Sequence, residues 1–261
     1  MPKTEPELIT ARGAAFNLTQ SLGISCPKEI VVEEIAMCRG ILVMDGALEG
    51  AEARLIRMAK RGIIRVKAGM LESGRRRFAI AHELGHWELH HDRSQWQFCS
   101  EVDIQDYSGS VLEIEANTFA SELLMPTYLF RPRCEEATPD LELIKRLAEE
   151  FNVTLTAAAV RFVEESRSAC MVVISKDERV AWWKRSGMCD SLGVWIEKDW
   201  QVLPESLAWC CFRNELVPMN GIALEPDIWF GESCTERIGQ VQEQSIRLGR
   251  YATVLTLLWI N

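Results

Sequence analysis

The 261-residue chain has no run of about 18 uninterrupted apolar residues, the length a membrane-spanning helix requires. Its longest candidate, residues 251–260, is too short and is interrupted by Thr253 and Thr256. Nor does it open with a basic segment followed by an apolar one. Met1-Pro-Lys-Thr-Glu-Pro-Glu fits no signal peptide, so a soluble protein that stays in the cytoplasm is expected. Positive charge is scarce: 29 Lys and Arg against 38 Asp and Glu leave a formal net charge of −9. Such a chain is a poor partner for a phosphate backbone, whose affinity for proteins comes largely from counterions displaced by clustered Lys and Arg. The nine cysteines are odd in number and contain no C-x-x-C pair, and adjacent Cys210 and Cys211 are badly placed for an ordinary disulfide. Reduced thiols are expected. There is no internal repeat and no low-complexity tract. With 48% hydrophobic and 26% charged residues, the composition excludes disordered, collagen-like and disulfide-stapled classes.

What is present reads as two kinds of sequence. Residues 7–22 place apolar side chains at helical spacing until Gly23 ends the pattern. Residues 30–37 fit a strand or a helix equally well, and 42–44 read as a strand entering an Asp45-Gly46 turn. Two alternating runs, 55–58 and 63–67, read as strands joined by a tight turn. Residues 51–80 hold nine Arg or Lys against two Glu, which is either a solvated face or a patch that steers an acidic partner. Helical patterns follow at 76–90, 110–125, 141–151 and 156–165, with a polar loop over 92–109. From Ala169 the chain turns β-rich and carries seven of its nine tryptophans, expected mainly as core. A domain boundary is placed near 166–168.

The residues that carry chemistry are His82-Glu83-Leu84-Gly85-His86. Positions i and i+4 lie on one helix face, so both imidazoles reach one metal ion while Glu83 stands beside a coordinated water. The flanking Phe78-Ala-Ile-Ala81, Leu84, Trp87 and Leu89 would bury this helix, where imidazoles without partners are costly. Small Gly85 would let another element approach closely. A third ligand is needed. Asp92 would serve in an extended motif, but that motif wants a glycine where Leu89 stands. His90 is one turn too far along a straight helix, and is expected as a supporting or helix-end residue. Glu113 is the better candidate: it shares a helix face with Asn117, whose amide could support a ligand. Glu115 is a rival, and Ser110 with Glu113 also fits a capping box in which Glu113 only closes a helix. Tyr107, Tyr128 and His90 are the candidate donors for a developing oxyanion. The 63–67 strand is a candidate edge for an extended peptide.

Arg77-Phe-Ala-Ile-Ala-His-Glu-Leu-Gly-His86 and Glu113-x-Glu-Ala-Asn-x-Phe-Ala-x-Glu-Leu-Leu-Met-Pro126 together resemble the ImmA/IrrE-type metallopeptidases. Residues 147–161 resemble the helix-turn-helix-like segment that follows the catalytic part in that family. The likeness covers about residues 50–165 and is weak elsewhere. It implies an α+β fold: a zincin-like metallopeptidase domain (1–130) with a small antiparallel sheet and active-site helices, a helix-turn-helix-like segment (131–167), and a mixed α/β, GAF-like sensor or regulatory domain (168–261). It further implies a cytoplasmic zinc endopeptidase that cleaves a helix-turn-helix repressor and so relieves repression of stress-response or mobile-element genes. On that resemblance His82, His86 and Glu113 bind the metal, zinc with manganese as the substitute, and Glu83 is the general base. The alternatives are a non-catalytic sensor or regulator with a structural or vestigial metal site, and a metal-free interaction module. Direct DNA binding is not expected, because the recognition-helix candidate 156–162 offers only Arg161 and is followed by Glu164 and Glu165. No membrane partner is implied, and nothing in the sequence specifies an oligomeric state.

Overall fold

Gly23, with φ +67°, ends the first helix: the amide of Ile24 bonds back to Thr19, a turn that a left-handed residue makes possible. That helix, α1 (Leu8–Ser21), buries Ala11, Ala15, Leu18 and Thr19 along one stripe. The computed structural model describes residues 6–58, 60–90, 110–249 and 252–260. The polar loop read at 92–109, with Asp92 and Tyr107, lies outside them. The chain divides into two compact units, Met1–Leu129 with Glu149–Thr154, and Phe130–Ala148 with Leu155–Asn261.

In the first unit the ambiguous segment after residue 30 resolves as α2 (Val32–Cys38). Strands β1 (Ile41–Gly46), β2 (Ala53–Met58) and β3 (Arg61–Lys67) follow, then α3 (Ser73–Leu89) and α4 (Val111–Leu124). The sheet order is β1-β3-β2, with β1 parallel and β2 antiparallel to β3. The small sheet is therefore mixed, not antiparallel as expected. β1 runs through Asp45 and Gly46 rather than turning there, and β2 pairs on the far side of β3. This also corrects the expected peptide-binding edge. The 63–67 run is the middle strand, and β1 and β2 are the edges of this sheet.

α3 is buried on every side from Ala79 to Trp87. Its start is seated on the loop after residue 151. A Cβ on Gly74 would fall 2.7 Å from the Val153–Thr154 backbone, and Ser73 Oγ lies 2.7 Å from Asn152 Oδ1. Its far end presses Trp87 onto Gly62 of β3. Much of the basic run is neutralised locally. Arg75 pairs with Glu52, Arg76 with Asp45 and Glu33, and Arg57 and Arg77 donate to the carbonyls of His86 and Ile30.

The second unit includes most of α5 (Leu141–Phe151), α6 (Leu155–Glu165), and strands β4 (Cys170–Lys176), β5 (Arg179–Arg185), β6 (Ile222–Leu224), β7 (Val241–Arg247) and β8 (Thr253–Ile260). These strands form an antiparallel sheet in the order β5-β4-β8-β7-β6. All but the last residue of β4 are buried, as a strand covered on both faces must be. α6 packs on β4 and β5. Trp229 is fully buried beside Met171, Val173, Phe230 and Leu258, with Trp183, Trp200 and Trp209 packed partly buried around them. The eight described cysteines are free thiols, and burial pushes Cys134 and Cys170 up to about 12, where they stay protonated and unreactive. Among the described residues no helix is long and apolar enough to cross a membrane.

Candidate metal centre

The site is made where α3 and α4 cross. Gly85 is the crossing point: a Cβ there would meet the Ala116 Cα and carbonyl oxygen at 3.1 Å and the Phe119 ring at 3.2 Å. Only a residue without a side chain lets the helices come this close. That approach brings His82, one turn before the contact, and His86, next to Gly85, against Glu113, one turn before Ala116 on α4.

The three side chains are buried, and their candidate ligand atoms all lie within 4.8 Å of one another. His82 Nε2 is 3.1 Å from Glu113 Oε2, His86 Nε2 is 3.3 Å from Glu113 Oε1, and the two Nε2 atoms are 3.1 Å apart. Tetrahedral zinc with bonds of about 2.0–2.1 Å separates its ligand atoms by roughly 3.3 Å. The observed triangle is close to that size. Two imidazole nitrogens and one carboxylate form a donor set suited to zinc, with three protein ligands leaving a fourth position open.

The surroundings orient these ligands. His82 Nδ1 lies 2.8 Å from Asn117 Oδ1. An amide oxygen can only accept, so His82 carries a proton on Nδ1 and turns Nε2 toward the triangle. His86 Nδ1 lies 3.0 Å from His90 Nδ1, and His90 Nε2 lies 2.9 Å from Glu115 Oε2. The other oxygen of Glu115 accepts the Glu7 backbone N–H at 2.9 Å. A small cavity of about 30 Å³, lined by Glu7, Thr10, Ala11, Leu89 and Glu115, adjoins this pair and is far too small for a peptide. Glu83 is buried at 3% exposure, and its charge acts on His82 and on Arg57. Burial alone would lower the His82 pKa, but the hydrogen bond to Glu113, with the charges of Glu83 and Glu113, leaves it raised. Burial likewise works to raise Glu113, yet the hydrogen bonds from His82 and His86 hold its carboxyl well below the usual range.

The structure thus brings His82, His86, Glu113, Asn117 and His90 together, with Glu83 beside them. Ser110 precedes α4 without a side-chain cap bond, so the capping-box alternative for Glu113 is not realised. Glu115 is turned to His90 rather than into the triangle. The Tyr128 hydroxyl, a candidate oxyanion donor, donates to the Ile24 carbonyl at 2.8 Å. Glu122, in the second matched segment, accepts from the Thr127 amide and hydroxyl and caps the next turn at Pro126.

Residues 36–163 match the family described as IrrE N-terminal-like domain, peptidase M78. A stretch of 59 residues is 42% identical to uncharacterized immunity region protein 2 of Bacillus phage phi105, covering 23% of this chain and 35% of that protein. The match therefore spans about a third of the length of that curated relative. A Mycobacterium tuberculosis transcriptional regulator of known structure aligns with a TM-score of 0.59 over 97% of this chain and 76% of that one. At 16% identity this likeness shows a shared fold.

Proposed function

Because residues 36–163 belong to the IrrE N-terminal-like, peptidase M78 family, we propose that this protein is a zinc-dependent endopeptidase acting on another protein, a helix-turn-helix repressor. The observation that carries the reading is the buried His82–His86–Glu113 triangle, with donor spacings near those of a zinc tetrahedron. His82, His86 and Glu113 hold the ion, and manganese could replace zinc with the same donors. Bound there, zinc supplies a Lewis acid and lowers the pKa of a water toward about 7. Glu83 takes the proton from the attacking water and returns it to the departing amine. Its burial and its place next to His82 support that role. The substrate enters as an extended strand beside β2, the sheet edge that packs against α3 and whose Arg57 reaches the His86 carbonyl.

The repressor substrate is supported by the family and by the phage relative, whose name places it in an immunity region. Cleavage would relieve repression of stress-response or mobile-element genes from within the cytoplasm. We assign catalysis to residues 1–130, a helix-turn-helix-like segment to 131–167, and a GAF-like sensor or regulatory domain to 168–261. The five-stranded antiparallel sheet supplies the strand content that such a domain requires.

Elemental analysis tests the centre. Near one zinc per chain is expected in the wild type, lost in His86→Ala and Glu113→Gln and kept in Glu115→Gln and Glu83→Gln. Glu83→Gln should abolish cleavage of a co-expressed repressor. Metal uptake with regulation unchanged in Glu83→Gln would favour the non-catalytic regulator, and no metal uptake at all would favour an interaction module.

A further inference from the structure

We infer that Glu115 and His90 form a positioning pair that fixes the tautomer and ring orientation of His86, so that its Nε2 lone pair is presented to the metal. The inference rests on the zinc site proposed above and extends it to two residues that sequence spacing gave no joint role. Glu115 was a rival ligand and His90 a helix-end residue; the fold makes them partners.

The argument follows the protons. Glu115 is 2% exposed, and one of its oxygens is already occupied by the Glu7 amide N–H at 2.9 Å. A carboxylate can only accept, so the 2.9 Å contact from His90 Nε2 to Glu115 Oε2 places a proton on His90 Nε2. The other ring nitrogen of His90, Nδ1, faces His86 Nδ1 at 3.0 Å. Once a metal takes the Nε2 lone pair, the proton of His86 sits on Nδ1, and His90 Nδ1 is placed to accept it. His86 Nε2 is directed at the place where His82 Nε2 and the Glu113 carboxylate converge. His82 reaches the same tautomer by a shorter route, through Asn117 Oδ1. The two ligand imidazoles are thus held by different devices: an amide for one, and a carboxylate acting through a second imidazole for the other.

The geometry also explains why Glu115 must be buried. Anchored by the amide of Glu7, the residue before α1, and linked to His90, the residue after α3, it ties the ends of two helices and α4 to the orientation of one ligand ring. Outer partners of metal ligands typically govern metal affinity by about 10–100-fold. His90 and Glu115 are positioning residues and do not touch substrate.

The test is zinc affinity, measured by chelator competition on the full-length protein, for wild type, His90→Leu, His90→Asn and Glu115→Gln. Far-UV circular dichroism and melting of the metal-free forms check folding. His90→Leu removes the acceptor and should weaken zinc binding by about 10–100-fold. His90→Asn keeps an oxygen where Nδ1 stood and should bind nearly as the wild type does. Glu115→Gln should fall between them. In parallel, long-range proton–nitrogen NMR of the zinc-loaded wild type should find His86 protonated on Nδ1 and His90 on Nε2 alone. Wild-type affinity in His90→Leu, equal loss in the Asn and Leu variants, or a proton on His90 Nδ1 would each overturn the pair. If the wild type binds zinc and the variants do so equally well, the pair is refuted and the metal site stands. If the wild type takes up no zinc, both readings fall.

Discussion

At the scale of single residues, the His82–Glu113 contact has a definite pH signature. His82 is raised above its ordinary 6.5, so in the metal-free protein its contribution to stability is complete below 6.5 and is lost as pH rises through the raised value. Glu113 is held below its ordinary 4.5, so its contribution is present above 4.5 and is lost as pH falls. Zinc must displace the His82 proton, and its stabilising effect therefore grows as pH rises. The zinc-induced increase in melting temperature should be larger at pH 8 than at pH 6, and an equal increase would contradict the assignment. A second prediction concerns Glu243, fully buried in β7. Its oxygens accept the Trp229 indole N–H at 2.9 Å and the Ala208 amide N–H and Ser245 hydroxyl, each at 2.8 Å. Glu243→Gln would turn an NH₂ toward one of these donors, and denaturant melts should show a loss of about 1–3 kcal/mol. The grouping of His82, His86 and Glu113 was legible because i, i+4 spacing is a local property: His82 with His86, and Glu113 with Asn117. The Glu115–His90 link was not, since it joins α4 to α3 across a long intervening segment. The one available signal was that all four histidines fall between residues 82 and 91.

At the scale of elements, everything at the site depends on how closely α3 and α4 cross. Gly85→Ala gains up to about 1 kcal/mol of helix propensity. Against this, its methyl group meets the Ala116 backbone at 3.1 Å, which cannot rotate away as a side chain would. Overpacking of this kind costs about 1–3 kcal/mol. The expected outcome is a lower melting temperature together with weaker zinc binding, because separating the helices spreads the triangle. A variant that melts as the wild type does would show that the helices can part without cost. Sequence foresaw this close approach, and it foresaw the long helices, whose apolar spacing over three or more turns is distinctive. Sheet pairing was less legible. The alternation in 55–58 and 63–67 located the hairpin, but an alternating strand looks the same whether one or both of its edges are paired. The mixed order β1-β3-β2 joins strands that are not neighbours in the chain, and the 47–52 connection carries no pattern that announces it.

At the scale of the whole molecule, the net charge of −9 and the packing of α6 argue together about partners. Arg161 is the only basic residue of the recognition-helix candidate, and it is 1% exposed, bound to Glu165 Oε1 at 3.2 Å and Glu164 Oε2 at 3.7 Å. α6 lies in the same compact unit as the sheet and packs on β4 and β5. A helix that reads DNA must leave a basic or amide-bearing face free for the groove; Ala158, Ala159, Phe162 and Val163 of this one are buried. The structural neighbour is a transcriptional regulator, but at 16% identity the likeness extends to fold and carries no inference about DNA. Even non-specific binders reach dissociation constants of about 10⁻⁴–10⁻⁶ M at physiological salt, and they weaken steeply as salt rises. Fluorescence anisotropy with labelled duplex DNA should therefore show no saturation at roughly 10 μM protein, and no gain on lowering salt of the size that several phosphate contacts would give. Saturable binding with a steep salt slope would require a basic surface that the described residues do not form around α6. It would return weight to the regulator reading. Its absence would favour the proposed protein substrate over DNA as the partner.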